Sequence, residues 1–272
     1  MPLTKVAFAA GIDKQDSKYG AEGRWINSDY VRFRYGLPEK VGGWTAFSSG
    51  YNLIGVARDT WSWNALDGTP YLAVGTNKKL YGYTGGAYGD ITPIRATNVG
   101  VVITPTNATT VITVTDVAHG ALVGDFVTFS ATSVAFGGLT ASTFDIQYEV
   151  QTVASANSYT VKSPATLLNS TPGTATIAYQ LAIGTEIAIQ NYGWGTGGWG
   201  VGTWNTPRTT VTALEARLWS LDNFGENLIA CVNNGMVYEW APNISNRAVA
   251  VANAPTKNSF SLVSTPDRHL VL

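Results

Sequence analysis

The sequence predicts an all-β protein in which propeller-like blades, incomplete in this chain, are interrupted by an inserted immunoglobulin-like β-sandwich. The chain of 272 residues has 29 glycines and 11% aromatic residues, a composition typical of strands joined by tight turns. Turn residues separate short alternating segments about every 8–12 positions, and no long stretch keeps a helical period. A motif that precedes residue 98 also returns after residue 183.

Composition divides the chain at about residues 98 and 183. Residues 97–207 contain one basic residue, Lys162, and five acidic ones, and are dominated by Thr, Val, Ala, Ser and Gly. Such a shift marks a change of domain. We expect an N-terminal arm and first blade or blades over 1–97, the inserted module over 98–183, and further blades over 184–272.

Four short strands are predicted inside the inserted module. They are Val111–Thr115, Asp125–Phe129, Tyr148–Val153 and Ser158–Val161. Their number, length and spacing are typical of a sandwich or a small barrel of about immunoglobulin size, and we favour the immunoglobulin-like sandwich. We expect the module to project outward from the blades and to be removable without unfolding the remainder.

An internal repeat predicts the blades on either side. Three segment pairs match: 61–65 with 219–223, 71–77 with 228–234, and 80–83 with 237–240. Each unit is predicted as three strands joined by turns, the meander of a propeller blade. The residues outside the module are enough for about four blades of about 40–50 residues.

A third repeat unit starts at Phe260–Val263 and has 269–272 as its second strand. The sequence stops there, on the apolar run Leu270-Val271-Leu272. A central strand with an unpaired edge is uncommon at the end of a domain. We therefore expect that 255–272 do not form a self-sufficient blade, and that a longer polypeptide or a second chain supplies the missing strands.

Composition also removes several classes of function. One cysteine excludes a disulfide framework and a cysteine-based zinc site. With two histidines, the chain cannot supply metal sites that are built from several imidazoles. Its net charge of −1 shows no excess of basic residues of the kind that binds nucleic acid. Apolar runs are too short for a membrane-spanning helix of about 20 residues. We expect no enzyme activity, no cofactor and no metal.

Two places in the sequence contain residue types that are common in catalytic sites. Asp116, His119 and Ser130 are the types of a hydrolytic triad, but a histidine in a turn after a strand is the favoured interpretation. Cys231 lies among apolar neighbours, which favours an inert buried thiol over a nucleophile.

Trp194, Trp199 and Trp204 recur every five residues among glycines. Flanking glycines would leave the indole faces clear for stacking on sugars, as in a lectin. The favoured alternative is that these residues pack between blades or into a neighbouring subunit, because glycine permits close backbone approach in sheets.

Several short motifs resemble the tail nozzle proteins of short-tailed bacteriophages, also called tail tubular protein B or tail hub proteins. The N-terminal motifs are 20–25, Asp29, 31–34 and 36–44; the later ones are 118–120, 123–127, 193–195 and 202–204. The resemblance is dense over 20–95 and 190–272 and looser between. Members of this family are commonly much longer than 272 residues.

This resemblance implies a structural virion protein that forms a hexameric, propeller-like ring. The ring extends the portal and adaptor channel and lets double-stranded DNA leave the virion. The implied neighbours are other copies of the chain, adaptor or portal-proximal proteins, and tail fibre or needle proteins. The protein is made in the host cytoplasm and belongs to the virion tail. The alternatives left open are a carbohydrate-binding propeller and a propeller hydrolase, which needs two carboxylates about 5–10 Å apart.

Three arginines are the candidates for contacts in such a ring. Arg32 and Arg34 alternate with apolar residues, so both lie on one face of a predicted strand, with Arg24 upstream. Their guanidinium groups could meet carboxylates of a neighbouring subunit, the DNA backbone, or acids of their own chain such as Asp29 and Glu39. Given the resemblance, we favour protein–protein ion pairs, because a channel through which DNA slides should not hold it tightly.

Overall fold

The structure is a computed structural model that describes residues 9–43, 45, 50–133, 136–184, 216, 218–264 and 266–272. It is an all-β protein, as predicted. The chain forms two compact units that meet in sequence at Gly50 and Tyr51.

The first unit consists of two small sheets. Its strands are β1 (Ala9–Ile12), β2 (Arg24–Trp25), β3 (Val31–Arg34) and β4 (Leu37–Lys40). β1 pairs with β2 in parallel, and β3 pairs with β4 as a hairpin. Its two-residue turn, Tyr35-Gly36, has positive φ at both positions, the type I′ geometry that matches the twist of paired strands.

The second unit begins with a four-stranded antiparallel meander, here called the first sheet. Its strands are β5 (Ala57–Asn64), β6 (Pro70–Thr76), β7 (Leu80–Thr84) and β8 (Ala87–Asp90). They pair in sequence order because each is joined to the next by a short turn. The prediction of three strands per unit missed β8.

The inserted module is a closed barrel of six antiparallel strands. The strands are β9 (Ile94–Pro105), β10 (Val111–Thr115), β11 (Phe126–Ser130), β12 (Gln147–Ser155), β13 (Ser158–Lys162) and β14 (Gly173–Gln180), with 3₁₀ turns at Phe136–Gly138 and Ala141–Thr143. Their order around the barrel is β10-β13-β12-β11-β14-β9. The expected two-sheet immunoglobulin-like sandwich is therefore corrected to one closed sheet.

Closure follows from the long strand β9, which pairs with β14 along most of its length and with β10 at its C-terminal end. Gly100, with φ of +71°, and a register shift opposite it allow β9 to bend. The interior is filled by side chains such as Ile103, Val114, Phe129 and Ile177. A closed sheet has no unpaired edge, so the barrel needs no partner to protect one.

Two further sheets follow the barrel. The second sheet has strands β15 (Trp219–Phe224), β16 (Asn227–Val232), β17 (Val237–Trp240) and β18 (Val249–Ala250); the third has β19 (Leu262–Val263) and β20 (Leu270–Val271). The second sheet is again a sequential antiparallel meander. The described residues of the second unit outside the barrel thus contain two four-stranded meanders and one strand pair.

With Ala73 and Ala230 taken as equivalent, the predicted repeat is shifted by one residue in the third strand, where Ala73 pairs with Gly82 but Ala230 with Tyr238, and by two in the first. Ala73 and Ala230 match in sequence, yet Ala73 pairs with Trp61 whereas Ala230 pairs with Leu221. The alignment had matched Trp61 with Trp219, so it was wrong by two residues. A shift of two preserves the side of the sheet on which a residue lies, because side chains alternate.

The first and second sheets pack face to face through glycines. A Cβ on Gly75 would overlap the Trp219 ring, and a Cβ on Gly82 would lie 2.7 Å from the Trp240 ring. These glycines therefore leave room for two indoles of the second sheet. Both indoles are buried, and each donates its N–H to a backbone carbonyl, for example Trp219 to Thr76 at 2.8 Å.

The second sheet is covered on both faces. Leu228 and Ala230 of β16 face the first sheet, whereas Ile229 and Cys231 face the third. Val263 and Leu270 of the third sheet pack against that second face. The three sheets therefore form a series, which we call the sheet stack.

Candidate functional site

The predicted arginines lie in the first unit, where two of them have acidic partners in their own chain. Arg32 and Glu39 are opposite each other in the β3–β4 hairpin, with NH2 to Oε1 at 3.1 Å and Nε to Oε2 at 3.4 Å. Arg24 contacts Asp13 at 3.5 Å. The side chain of Arg32 is more than half exposed, so this pair adds little stability.

Arg34 differs from the other two. Its guanidinium lies 5.5 Å from the ring centre of Tyr35, and it has no ion pair with any residue that the structure describes. Arg32 and Arg34 are exposed whereas Val31 and Phe33 are half-buried, so the predicted alternation is confirmed.

The first unit buries very little of its own apolar surface. Within its described residues, Ala21 is the one buried hydrophobic residue. Tyr30, Tyr35 and Leu37, around the hairpin, are 78%, 91% and 70% exposed. The hairpin therefore presents two aromatic rings and a leucine beside an arginine without an ion pair, which is the composition of a protein-contact surface.

The other predicted site residues, Trp194, Trp199 and Trp204, lie outside the residues that the structure describes. Their interpretation as lectin or packing residues stays a prediction.

A polar cluster that the sequence did not predict joins the barrel to both meanders. Its centre is Asp90, at the end of β8. The carboxylate of Asp90 accepts from Lys79 Nζ at 2.8 Å and from Arg247 NH1 at 2.9 Å. The side chain of Lys79 is only 3% exposed and that of Asp90 17%. We call these three residues and their neighbours the junction cluster.

Neutral groups from the barrel complete the junction cluster. Gln147 and Gln180 donate to Asp90 Oδ2 at 3.3 and 3.1 Å, and the Gln147 side-chain carbonyl also accepts from Lys79. The Lys79 ammonium lies 4.3 Å from the centre of the Phe126 ring, a favourable cation–π distance. The barrel thus contributes three side chains to the junction cluster, whose charged residues all belong to the sheet stack.

Electrostatics hold Asp90 in its charged form. Burial by itself would raise the pKa of Asp90, but Arg247 and Lys79 outweigh it and hold that pKa well below its usual range. Burial also lowers the pKa of Lys79, although Asp90 partly opposes this. A carboxylate fixed in its ionised form is suited to positioning other groups and not to proton transfer near neutral pH.

The residues considered for a hydrolytic triad have structural roles. His119 is buried; its Nδ1 accepts from the Ala121 amide at 2.9 Å, and its Nε2 lies 3.1 Å from the Ser155 carbonyl. Both ring nitrogens are therefore used by the backbone. Ser130 instead contacts the Thr176 carbonyl at 3.4 Å.

Asp116 belongs to a hydrogen-bonded group inside the barrel. It accepts from the Tyr179 hydroxyl at 2.6 Å and from Asn98 at 2.7 Å. Tyr159 in turn donates to the Tyr179 hydroxyl at 3.2 Å. Burial, followed by these hydrogen bonds, raises the pKa of Tyr179 far above its usual value.

Cys231 is a buried thiol of the second sheet, as favoured from the sequence. Burial raises its pKa to about 11, so it is almost entirely protonated near neutral pH.

Over the described part of the chain, no group of three or more His, Cys, Asp or Glu residues is arranged to hold a metal ion. Among those same residues, no helix has the length and apolar character needed to cross a membrane.

Comparisons with known proteins give little further information. No family model matches the sequence, and no curated protein is significantly similar to it. Among solved structures, phage phi92 endosialidase matches with a TM-score of 0.27 and 12% identity, over 86% of this chain. The chain spans 35% of the length of that protein. A TM-score this low carries no argument about fold or function.

Proposed function

We propose that this protein is a structural subunit of a phage tail, a nozzle or hub protein whose copies assemble into a ring around the exit channel for DNA. The motifs over 20–44 and 190–272 that resemble this family support the proposal. The structural observation that carries it is the first unit, which has strands and a well-formed turn but almost no core of its own.

A two-stranded hairpin without a hydrophobic face is marginal in water. The β3–β4 hairpin would gain stability if another molecule covered Tyr30, Tyr35 and Leu37. In the proposed ring, a neighbouring copy covers these residues and supplies a carboxylate to Arg34. Interfaces are enriched in tyrosine and arginine, which agrees with this composition.

We further propose that the sheets of the stack are blades of a propeller. Each sheet packs one face on the next. The outer face of the third sheet leaves Leu262 and Val271 exposed at 53% and 45%, with Phe260 beside them. In the proposed assembly these residues are covered by neighbouring β-structure. The other proposed contacts, with adaptor, portal-proximal, fibre or needle proteins and with passing DNA, come from the resemblance.

Assembly of the purified chain tests the proposal. Sedimentation over a range of concentrations and negative-stain electron microscopy should show rings for the wild type. Arg34→Glu should weaken assembly and leave the folded subunit intact, because a repulsion replaces an attraction at the interface. A wild type that stays monomeric at every concentration would contradict a ring.

Two variants make this test specific. Lys18→Glu introduces the same charge change in the same unit but outside the hairpin, and should assemble normally. Arg32→Glu alone would place two glutamates opposite each other and disturb the hairpin itself. The exchange Arg32→Glu with Glu39→Arg keeps that pair, so weakened assembly of the exchange variant would be an effect on the interface. Normal assembly of Arg34→Glu would remove the hairpin from the interface.

A further inference from the structure

A groove crosses one end of the sheet stack, where the first turn of each sheet lies. It encloses about 500 Å³. Its lining includes Trp61 and Asn64 of the first sheet, Asn223 and Glu226 of the second, and Leu262 and Arg268 of the third sheet and its turn. All of these residues belong to the second unit.

Trp61 is the aromatic wall of the groove and is held in place. Its indole N–H donates to Asn223 Oδ1 at 3.0 Å, and Asn223 Nδ2 donates to the Gly225 carbonyl at 2.9 Å. The polar edge of the indole is thus satisfied by the protein, while 37% of the residue stays exposed. A fixed ring with an open face is suited to stacking against a flat, weakly polar ligand surface.

The polar groups of the groove are mainly hydrogen-bond acceptors. Asp222 accepts from the Val263 amide at 2.8 Å and from the Asn223 amide at 2.8 Å, which makes it a fixed carboxylate. Glu226 uses Oε1 to accept from the Leu66 amide at 3.2 Å; no partner for its Oε2 is found among the described residues. An ionised carboxylate can accept further hydrogen bonds at its remaining lone pairs.

The charge of the groove selects against acidic ligands. It contains two carboxylates, Asp222 and Glu226, and one guanidinium, Arg268. Arg268 forms no ion pair within the described part of the chain. The net charge of the lining is therefore negative, and a ligand rich in neutral hydroxyl donors suits it better than an anion.

We propose that this groove binds a neutral saccharide. A pyranose ring has a face of C–H groups that can stack on Trp61 and an edge of hydroxyls that can donate to Glu226. Asn64, at the mouth of the groove, offers both a donor and an acceptor. Because the carboxylates hold backbone amides in place, the groove is assigned to binding and not to catalysis.

Saturation-transfer difference NMR on the full chain tests the inference. The probes are four neutral trisaccharides, maltotriose, cellotriose, mannotriose and triacetylchitotriose, and one acidic one, trigalacturonic acid. At least one neutral trisaccharide should show transfer and also change the tryptophan fluorescence. If no neutral trisaccharide received saturation from the protein, or if trigalacturonic acid bound more tightly, the proposal would be overturned.

Three variants locate the site. Trp61→Ala should weaken binding of the neutral trisaccharide about tenfold or more, through loss of stacking. Glu226→Gln keeps an oxygen for the Leu66 amide but removes the charge, and should weaken binding several-fold without disturbing the turn. Phe260→Ala removes another exposed aromatic residue of the stack outside the groove, and should bind like the wild type. Wild-type affinity in both Trp61→Ala and Glu226→Gln would place any binding elsewhere.

Discussion

The barrel and the sheet stack are built from similar short strands, but the sheet of the barrel closes on itself whereas the sheets of the stack stay open. In the barrel, β9 pairs with β14 and β10, so the sheet closes and its apolar side chains point into one interior. In the described part of the stack, each sheet buries a face on the next, and the third sheet leaves Leu262 and Val271 exposed. Closure gives a self-sufficient module, whereas serial packing always leaves a face for a neighbour.

The largest expected effect is at the junction cluster, where the two regions meet. Asp90→Ala should destabilise the protein by about 3–5 kcal/mol, because it leaves Lys79 buried without its counter-ion. The free energy of unfolding in urea measures this. Glu149→Gln, which removes the more exposed ion pair between the barrel and Lys78 at 2.8 Å, is the comparison and should cost about 0–1 kcal/mol. If Asp90→Ala cost as little free energy of unfolding as Glu149→Gln, the junction cluster would not be needed for stability.

The same cluster predicts a pH dependence. The pKa of Asp90 is lowered in the folded state, so its contribution is complete above the unfolded value of about 4 and is lost as the pH falls below it. Wild-type stability should therefore fall more steeply in acid than that of Asp90→Ala.

The next largest effect is in the stack. Gly82→Ala should destabilise by about 2 kcal/mol, because its Cβ would lie 2.7 Å from the Trp240 ring and would push the second sheet away. Gly43→Ala is the control, since no atom lies within 4 Å of its Cβ position. Thermal melting compares the two; a neutral Gly82→Ala would show that the sheets can separate at little cost.

The barrel should lose stability in alkali. Burial raises the pKa of Tyr148, Tyr159 and Tyr179, so the stability that depends on their neutral forms is present below about pH 10 and is lost as the pH rises above it. Tyr179→Phe should cost about 1–2 kcal/mol at neutral pH but reduce the alkaline loss. Unfolding midpoints across the alkaline range measure both, and an unchanged alkaline slope would contradict the assignment.

The smallest effect on the rest of the protein is expected when the barrel is deleted. Gln180 lies opposite Ile94, and the Leu181 amide donates to the Pro93 carbonyl at 2.8 Å. The two ends of the barrel are therefore adjacent, and a short glycine-serine linker can replace 94–180. The remainder should stay folded by circular dichroism, and 93–181 alone should melt cooperatively. Aggregation of both pieces would contradict an inserted module.

The sequence predicted the strands well and their long-range partners poorly. Alternation in Val111–Thr115 and the repeat between Ala73 and Ala230 report local structure, so these features were found. Whether six strands form a sandwich or a barrel depends on pairing between β9 and β14, which alternation does not encode.

The functional residues show the same limit. Lys79 and Asp90 lie on one local hairpin, but Arg247 reaches Asp90 from 157 positions along the chain, and no spacing in the sequence marks it. The Arg32–Glu39 pair could be anticipated only because a hairpin is local. Trp61 was seen as part of a repeat, but its exposed face depends on the neighbouring sheet.

Cys231 has a practical consequence for experiments on this molecule. It is the one cysteine of the chain, it is buried, and burial raises its pKa to about 11, so very little of the reactive thiolate is present at neutral pH. A cysteine introduced on the surface, for example at Leu66 beside the groove, would react with maleimide dyes or spin labels far faster. The wild-type background is therefore already suited to site-specific labelling, and distances between hairpin, barrel and stack can be measured without removing a native residue.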